Sequence, residues 1–531
     1  MARLQYNGIF ANILHNIAMP YLPDSLYRAD QIREAERFAI DELGIPGLQL
    51  MRNAGQAAFI ELRRRWPDCR MLEVFCGSGN NGGDGYVLAG LALQAGFKVN
   101  VHAIGDVDAL AGDARISCRD FKQAGGAVGK FSANLSLPGE CVIVDALLGT
   151  GLNRQVGGDY ATAIAAINAA AGRVLAVDLP SGLHADTGCA MGDAVKADAT
   201  VTFIGLKCGL FTGRAADYCG EIILADLAVP EQVFAGIDPA ARLLNKLLPP
   251  PRSRCAHKGN FGHVLLIGGN HGYSGAIRLA GEAALRSGAG LVSVASRAGH
   301  SAVLNIGRPE LMCHGVENPE QLRPLLDKAD VLVIGPGLGQ DEWAQTLFAA
   351  ALAGGRRAVV DADALNLLAR QPRKSGDWVL TPHPGEAARL LACSTSDIGA
   401  DRYAAVAELQ RGYGGVCVLK GAGSLIADGQ GVQVATTGNP GMASGGMGDV
   451  LAGTIGGLSA QGLSPGDAAR LAVYVHGEAA DRAAAEQGER GLLAGDLLPW
   501  LRRCLNADAD KAVNGLGHGS ANAWSRLGQG D

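Results

Sequence analysis

Short apolar runs alternate with helical stretches along most of the chain, and this alternation is the feature that most constrains its fold. In the first half, predicted strands lie at "MLEVFC", "KVNVHA", "CVIVDA", "RVLAVD", "ATVTFIG" and "EIILADLAV", with helical stretches near residues 85–96, 113–124 and 159–171. Strands that alternate with helices in this way are typical of βαβ units and a parallel sheet. We therefore expect the first half to be an α/β domain.

The pattern stops at "LLPPPRSR", residues 247–254, because three consecutive prolines cannot continue a helix or a central strand. It restarts with "GHVLLIGGN" and continues through "GLVSVAS", "DVLVIGPGLG", "RAVVDADAL", "WVLTPHPGE" and "VCVLKGAGS" to a helical region that ends near residue 505. We predict a first domain over residues 25–235 and a second over residues 240–505. The polar, aperiodic residues 506–531 are predicted to be disordered, and Met19 is an alternative start of the chain.

Composition favours a globular protein that binds small molecules. The chain is 48% hydrophobic and 18% charged, and it carries a net charge of −6. No Lys/Arg run stands out as a nucleic-acid footprint, so nucleic acid is not an expected partner. It has no apolar run of about 18 residues and no basic leader before an apolar stretch, so neither a membrane nor export is expected. The twelve cysteines are scattered without zinc-ligand spacing. We interpret them as reduced thiols of a cytoplasmic protein.

The loop "GSGNNGGDG" after the first strand contains a formal GxGxxG at Gly77, Gly79 and Gly82, and Asp106 closes the next strand. Alone, this pattern is a dinucleotide fingerprint. However, the carboxylate of Asp84 would repel a pyrophosphate bound at the following helix. The amides of the two preceding asparagines suit a cation or a polar ring. The loop therefore favours a polar-ligand or ion site over a Rossmann cofactor site or a purely structural turn.

Two further carboxylates, Asp145 and Asp178, follow apolar runs in "CVIVDALLGTGLNR" and "RVLAVDLPSGL". Because ligands bind at the carboxyl ends of parallel strands, both are candidates for the same site. The alternative is that each only caps the turn or helix that follows. Ser181 and the glycine amides of "GTGLNR" would add hydroxyl and amide groups.

Together with "LYRADQIREAE", these stretches resemble the YjeF N-terminal family, the nicotinamide-nucleotide hydrate epimerases, over about residues 25–230. The resemblance implies a Rossmann-like three-layer α/β/α domain with Asp178 as the acid/base. It implies a potassium site at Asn81, Asp145 and Ser181, whose hard oxygen donors suit such a cation. It also implies that the hydrated nucleotide is bound by Asn80, Asn81, Gly82, Gly83, Asp84, Gly149, Thr150, Gly151, Leu152, Asn153, Arg154, Gln155 and Asp178.

In the second half, the loop "GNPGMASGGMGDVLAG" places several glycines and Asp449 before a predicted helix. Its amides suit an anion, and Asp449 can take a proton from a hydroxyl that attacks phosphorus. The alternative is that Asp449 only caps the helix. No GxxxxGK[ST] motif is present, which disfavours a P-loop fold. "VLKGAGS" offers a phosphate cradle at Lys420, or else an ordinary hairpin, and the flanking prolines of His383 favour a rigid ligand-contacting loop.

These segments, with "HKGNFGHVLLIGGNHGYSGA", "VIGPGLG" and "DADALNLL", resemble the YjeF C-terminal family, the nicotinamide-nucleotide hydrate dehydratases, over about residues 240–505. The resemblance implies a ribokinase-like α/β domain that uses ADP, yields AMP and needs magnesium, whose ligands the sequence does not show. It implies substrate contacts at Ala276, at Gly337 or Gly339, and at His383 and Asp449. It implies nucleotide contacts at Lys420, Gly421, Ala422, Gly423, Ser424 and Gly448.

We therefore expect a bifunctional repair enzyme that epimerises NADH and NADPH hydrates and dehydrates one epimer with ADP. One alternative is a ribokinase-like kinase for a vitamin precursor. A second keeps the first domain as a non-catalytic ligand-binding or scaffolding module. The sequence leaves open the preference between the two hydrates and the oligomeric state, a homo-oligomer included.

Overall fold

The structure, a computed structural model, describes residues 22–246 and 248–506. The alternative start at Met19 and residues 507–531 of the predicted disordered tail lie outside the described residues. The chain forms two sheets. The first lies wholly within the first half of the sequence, and the second is built mainly from the second half. The two-domain α/β architecture is thereby confirmed, while the boundary that we place between residues 235 and 240 stays a prediction.

The first sheet has seven parallel strands. In spatial order they are Val128–Lys130, Lys98–Ala103, Met71–Cys76, Val142–Ala146, Arg173–Val177, Ala199–Phe203 and Glu221–Ala225. Its helices are Ala29–Asp41, Gly47–Arg65, Asn80–Gln94, Gly112–Gln123 and Gly158–Ala169. The helix after the first strand begins at Asn80, five residues earlier than predicted, so both asparagines of the loop lie in its first turn.

Both faces of this sheet are buried, which explains why its strands are apolar at consecutive positions. Val74 and Val144 pack with the helices that precede residue 124, whereas Phe75 and Ile143 pack on the opposite face with the helix Gly158–Ala169. The first half is therefore a three-layer α/β/α domain.

The second sheet has twelve strands, of which the first seven are parallel. In spatial order they are Met312–Gly315, Leu291–Ser296, His263–Ile267, Val331–Ile334, Ala358–Val360, Trp378–Leu380, Val416–Leu419, Leu425–Ala427, Val432–Val434, Ala241–Leu243, Ser25–Tyr27 and Leu206–Lys207. Its helices are Ser274–Arg286, Ala298–Ser301, Pro319–Leu326, Glu342–Leu352, Asp363–Arg370, Pro384–Leu390, Thr395–Ala400, Arg402–Tyr413, Met447–Ala460, Pro465–Gln487 and Ala494–Cys504. Short 3₁₀ helices lie at Val107–Ala109, Cys208–Leu210, Ala215–Asp217, Glu231–Phe234, Lys258–Phe261 and Pro440–Met442. Within the described part of the chain, no helix is both long enough and apolar enough to cross a membrane.

Two strands of the second sheet come from the first half of the chain. Ser25–Tyr27 pairs antiparallel with Ala241–Leu243 and parallel with Leu206–Lys207, and Ala241–Leu243 pairs in turn with Val432–Val434. These strands are two or three residues long, too short for a periodic pattern, and the sequence did not predict them. They join the two domains through main-chain hydrogen bonds.

In each sheet the strand order reverses beside the first parallel strand, and the loops that leave the two central strands diverge there. In the first sheet these loops follow Cys76 and Ala146, and in the second they follow Ile267 and Ile334. Such switch points are where open α/β sheets bind ligands. The glycine-rich stretches "GSGNNGGDG" and "GGNHGYSGA" each leave a sheet at a switch point.

The helices Met447–Ala460 and Ser274–Arg286 cross at backbone contact. A Cβ atom at Gly453 would lie 2.0 Å from the carbonyl oxygen of Ala280. One turn later, a Cβ atom at Gly457 would lie 2.6 Å from the carbonyl oxygen of Ala284. Glycine therefore sets how closely the helix that carries Asp449 packs against the sheet's first helix.

We predict that Gly453→Ala lowers the free energy of unfolding by about 2 kcal/mol or more, because the added methyl group has only backbone to displace. Gly412→Ala is the control, since no atom lies within 4 Å of a Cβ atom at that helical glycine. The control should be neutral or stabilise by about 0.5 kcal/mol. Thermal and chemical denaturation measure both variants, and equal stabilities would contradict the contact.

Candidate active sites

A cavity of about 630 Å³ lies at the switch point of the first sheet. Most of the predicted substrate-binding residues line it: Asn80, Asn81, Asp84, Gly149, Thr150, Gly151, Leu152, Asn153, Arg154 and Asp178. Six polar residues that the sequence analysis gave no role also line it: Arg33, Glu36, Ser78, Asp113, Tyr160 and Lys207. The cavity therefore has the mixed acidic and basic lining of a site for a polar ligand.

Three predicted residues do not line the cavity. A Cβ atom at Gly82 would lie 2.1 Å from the carbonyl oxygen of Gly77, and one at Gly83 would lie 2.5 Å from the sulfur of Met51. Both glycines therefore serve close packing of the helix Asn80–Gln94. Gln155 is exposed at the end of the second loop of the site, which comprises Gly149 to Gln155.

Asp178 is held in the cavity wall by a buried lysine. One of its carboxylate oxygens, Oδ1, accepts hydrogen bonds from Lys207 Nζ at 2.6 Å and from Thr202 Oγ1 at 3.3 Å. The other, Oδ2, lies 3.3 Å from the position of a Cβ atom at Gly149, on the side of the second loop. Lys207 is 1% exposed, and its ammonium also donates to the Phe203 carbonyl. This anchoring leaves one oxygen of Asp178 free to act toward the cavity.

The backbone around the cavity is strained. Asp178 has φ of 67°, and Ile204 and Leu227, which also line the cavity, have φ of 66° and 58°. These left-handed conformations are costly for residues with side chains and persist where surrounding structure imposes them. The strain supports a functional role for Asp178 over that of a simple cap.

Two other carboxyl groups in the cavity have raised pKa values. Burial, reinforced by the neighbouring charge of Asp178, raises the pKa of Asp84 well above its usual range. The same two causes raise the pKa of Glu36. A neutral Asp84 donates a hydrogen bond rather than repelling an anion.

Of the three residues predicted to bind potassium, Asn81 lines the cavity, whereas Asp145 and Ser181 are fully buried and do not line it. Asp145 is fully buried and accepts hydrogen bonds from the backbone and the hydroxyl of Ser181, at 2.7 and 2.6 Å. None of the ion pairs among the described residues includes Asp145, and burial raises its pKa to about 6. Asn81 is 8% exposed, and its side-chain oxygen and nitrogen lack hydrogen-bond partners in the described structure. An unpaired buried carboxylate and an orphaned amide oxygen fit a hard cation.

In the second domain, three loops meet around Lys420. Lys420 Nζ donates to Asp361 Oδ1 at 2.8 Å and lies 3.9 Å from Glu386 Oε2. It also lies 3.2 Å from the position of a Cβ atom at Gly448, the residue before Asp449. Lys420 is thus part of a charged cluster beside the glycine loop, not the surface lysine of an ordinary hairpin, although the loop does connect antiparallel strands.

Asp449 lies in the first turn of the helix Met447–Ala460. Burial and the neighbouring charge of Asp361 raise its pKa to about 7. Burial likewise raises the pKa of Glu386 to about 7, while Lys420 opposes that rise. A carboxyl group that is half ionised near neutral pH is suited to proton transfer.

Asp361, Asp363 and Glu386 belong to this cluster, and the sequence analysis did not assign them roles. The available signal was their position, directly after the strands Ala358–Val360 and Trp378–Leu380 in "DADAL" and "TPHPGE". Ala362, between the two aspartates, has φ of 48°, a second case of left-handed backbone beside a candidate site. Asp363 accepts a hydrogen bond from the Gly339 amide at 2.8 Å.

The remaining predicted substrate residues lie at the second switch point and on the next loop. A Cβ atom at Gly337 would lie 3.2 Å from Cβ of Ala276, so these two residues are neighbours. His383 caps the helix Pro384–Leu390 through Nδ1, and its side chain is 51% exposed. Burial of part of the ring and the charge of Lys420 lower its pKa. The histidine is thus presented on a rigid loop as a neutral group.

The Rossmann cofactor site, one alternative of the sequence analysis, finds no support in the position of Asp106. Asp106 is exposed and accepts a hydrogen bond from the backbone of Asp108, as a capping residue does. Across the described residues, no group of three or more His, Cys, Asp or Glu side chains is arranged to hold a metal ion.

Comparison with known proteins identifies similar sequences for both halves. Residues 47–209 match the family model described as YjeF-related protein N-terminus, and residues 264–503 match the model described as NAD(P)H-hydrate dehydratase. A bifunctional NAD(P)H-hydrate repair enzyme of Coxiella burnetii is 51% identical over 486 residues, covering 91% of this chain and 99% of that protein. One of Escherichia coli is 45% identical over 494 residues, covering 92% and 95%. A crystal structure of the ADP/ATP-dependent NAD(P)H-hydrate dehydratase from Bacillus subtilis, co-crystallised with ATP and Mg²⁺, is 31% identical, covers 49% of this chain and 94% of that chain, and has a TM-score of 0.45.

Proposed function

The chain belongs to the family of bifunctional NAD(P)H-hydrate repair enzymes, and on that premise we propose one reaction for each domain. Residues 25–235 exchange the R and S epimers of hydrated NADH and NADPH. Residues 240–505 dehydrate the S epimer to NAD(P)H at the expense of ADP, with AMP and phosphate as products. The observation that carries this proposal is that each domain places an aspartate near a lysine in a polar site: Asp178 bonds Lys207 in the wall of the cavity, and Asp449 lies in the charged cluster around Lys420.

Epimerisation inverts a carbon that bears a hydroxyl, so a proton must be delivered when water leaves and removed when water returns. Asp178 performs this transfer with the oxygen that faces the second loop, because Lys207 and Thr202 hold the other one. Neutral Asp84 donates a hydrogen bond to the substrate. The substrate-binding set is Asn80 to Asp84 and Gly149 to Gln155, within which Gly82, Gly83 and Gln155 act only by shaping the loops.

Dehydration removes the same hydroxyl, and water does not return. Asp449 takes the hydroxyl proton, and the resulting oxygen attacks the terminal phosphorus of ADP, so that the bond to AMP breaks. The phosphate ester then loses phosphate from the carbon that bore the hydroxyl and a proton from the adjacent carbon, which passes to the departing phosphate or to water, and the ring double bond is restored. Phosphate leaves far more readily than hydroxide, and the raised pKa of Asp449 suits it to be the base.

Ala276, Gly337 or Gly339, and His383 bind the hydrate beside Asp449. Lys420 to Ser424 and Gly448 bind the nucleotide phosphates, because the lysine ammonium lies over Gly448 and the helix that follows directs its amides at an anion. Magnesium neutralises the charge of the transferring phosphoryl group when it is bound. It usually binds through phosphates and water, so we propose that it enters with the nucleotide and assign it no protein ligand.

Potassium is proposed at Asn81, Asp145 and Ser181, where it would supply the positive charge that buried Asp145 lacks. We also place the enzyme in the cytoplasm, since all twelve cysteines are unpaired.

We predict that Asp178→Asn reduces epimer exchange by about 10² to 10⁴, because the substitution keeps the shape and removes the proton donor. Dehydration should be unchanged. Exchange is followed by chromatography of a single purified epimer, with a melting curve to confirm folding. Asp106→Asn is the matched control, since that aspartate caps the 3₁₀ helix Val107–Ala109 and does not line the cavity. Near-normal exchange in Asp178→Asn would reduce Asp178 to a cap, whereas ligand binding without exchange in the parent would reduce the first domain to a binding module.

We predict that Asp449→Asn reduces dehydration by about 10² or more and leaves epimerisation and ADP binding in place. Given one pure epimer and ADP, this variant should yield a mixture of hydrates and no reduced-nicotinamide absorbance. Asp467→Asn, at a half-exposed first-turn aspartate of the helix Pro465–Gln487, is the control. Accumulation of a stable phosphorylated product by the parent would instead indicate a small-molecule kinase.

We predict that potassium raises the melting temperature and the rate of epimerisation, but not of dehydration, at pH values above about 6. The pKa of buried Asp145 lies above its unfolded value, so its stabilising contribution is complete at low pH and is lost as pH rises through about 6. A bound cation offsets that loss. Equal concentrations of potassium and tetramethylammonium chloride are compared, and Asp145→Asn should abolish the difference. Equal melting temperatures in both salts would contradict the site.

A further inference from the structure

Arg402 is a buried cation without an acidic partner. It is 5% exposed, and no ion pair among the described residues includes it. Burial lowers its pKa. An arginine in such a position needs hydrogen-bond acceptors and a source of negative charge.

The acceptors are carbonyls of the loop that we assign to nucleotide phosphates. Arg402 Nη2 lies 3.3 to 3.5 Å from the carbonyl oxygens of Leu419, Lys420 and Gly423. A Cβ atom at Gly421 would lie 3.0 Å from both terminal nitrogens, so the guanidinium rests directly against the loop backbone. Because these carbonyls turn toward the arginine, they are kept away from the face where an anion would bind.

The other side of the guanidinium rests on the first domain. Arg402 Nε donates to Thr212 Oγ1 at 3.0 Å, and that hydroxyl donates to the Gly423 carbonyl at 3.0 Å. Gly423 has φ of 61°, and a Cβ atom there would lie 1.9 Å from the Phe211 carbonyl oxygen. Arg402 of the second domain and Thr212 of the first therefore both support the loop on its carbonyl side.

We propose that Arg402 is the positioning residue of the nucleotide-phosphate loop, that Thr212 of the first domain completes its support, and that the phosphates of a nucleoside diphosphate supply the missing negative charge. This inference rests on the proposed role of Lys420 to Ser424. It adds that nucleotide binding in the second domain depends on a residue of the first. By linkage, a bound nucleotide must also stabilise the contact with the first domain.

The test compares ADP binding by calorimetry in the full-length parent, Arg402→Gln, Arg402→Lys and Thr212→Val. We expect Kd for ADP to rise by about 10- to 100-fold in Arg402→Gln, as when a charged hydrogen-bonding group is lost. A smaller rise is expected in Arg402→Lys, which keeps the charge without the planar fork, and in Thr212→Val. KM for the hydrate should not change, since Arg402 is held on the loop's carbonyl side.

Tyr403→Phe is the matched control. The Tyr403 hydroxyl donates to the Cys208 carbonyl at 2.8 Å. The substitution therefore removes a neighbouring hydrogen bond between the domains but leaves the contacts of the loop in place. Its Kd for ADP should stay within about twofold of the parent, the scale of an ordinary neutral hydrogen bond that does not reach the ligand. An equal loss in Tyr403→Phe would mean that general loosening of the interface is responsible and would overturn the inference.

Hydrogen exchange provides a readout that is independent of activity. ADP should slow amide exchange in residues 208–213 of the parent, and this protection should be lost in Arg402→Gln. Unchanged ADP affinity in Arg402→Gln and Thr212→Val would refute the inference while leaving the proposed function intact. If the parent binds ADP but does not dehydrate, the proposed function fails and the inference is still decided by the variants' affinities. If the parent does not bind ADP, both fail.

Discussion

Two close contacts, each between a glycine and a carbonyl oxygen, determine where the two candidate sites lie. A Cβ atom at Gly77 would lie 1.9 Å from the Leu147 carbonyl oxygen, and one at Gly268 would lie 2.2 Å from the Pro336 carbonyl oxygen. In both sheets these are the loops that leave the central strands in opposite directions. Only residues without side chains let the two backbones touch there, and the space beyond the contact becomes the site. The two domains have reached the same solution with unrelated loops.

A shared electrostatic arrangement follows from that geometry. Each site places carboxyl groups where a ligand with negatively charged phosphates is expected, and each contains one lysine bonded to an aspartate at 2.6 or 2.8 Å. Beside each of these lysine–aspartate pairs lies a second carboxyl group, Asp84 or Asp449, whose pKa burial raises. Each site thus combines an ion pair with a carboxyl group suited to carry a proton.

The features that could be predicted from the sequence are those written in consecutive residues. The long apolar strands, the glycine loops, Asp145 and Asp178 were found, because each has a local pattern. Lys207, Asp361 and Arg402 were missed because their meaning depends on partners elsewhere in the chain: Lys207 meets Asp178 across 29 residues, and Arg402 meets Thr212 across 190. The two- and three-residue strands at the edge of the second sheet were missed because they are too short for a period to be visible.

The segment that connects the domains is part of the second sheet and not a free linker. Its strand Ala241–Leu243 is bonded on one side to Ser25–Tyr27 and on the other to Val432–Val434. Cutting the chain beside it would leave an open strand edge on either fragment, and open edges pair with whatever strand they meet. Fragments made by truncation there would tend to self-associate. Fusion of the two domains in one chain therefore keeps the open strand edge of each domain covered by the other.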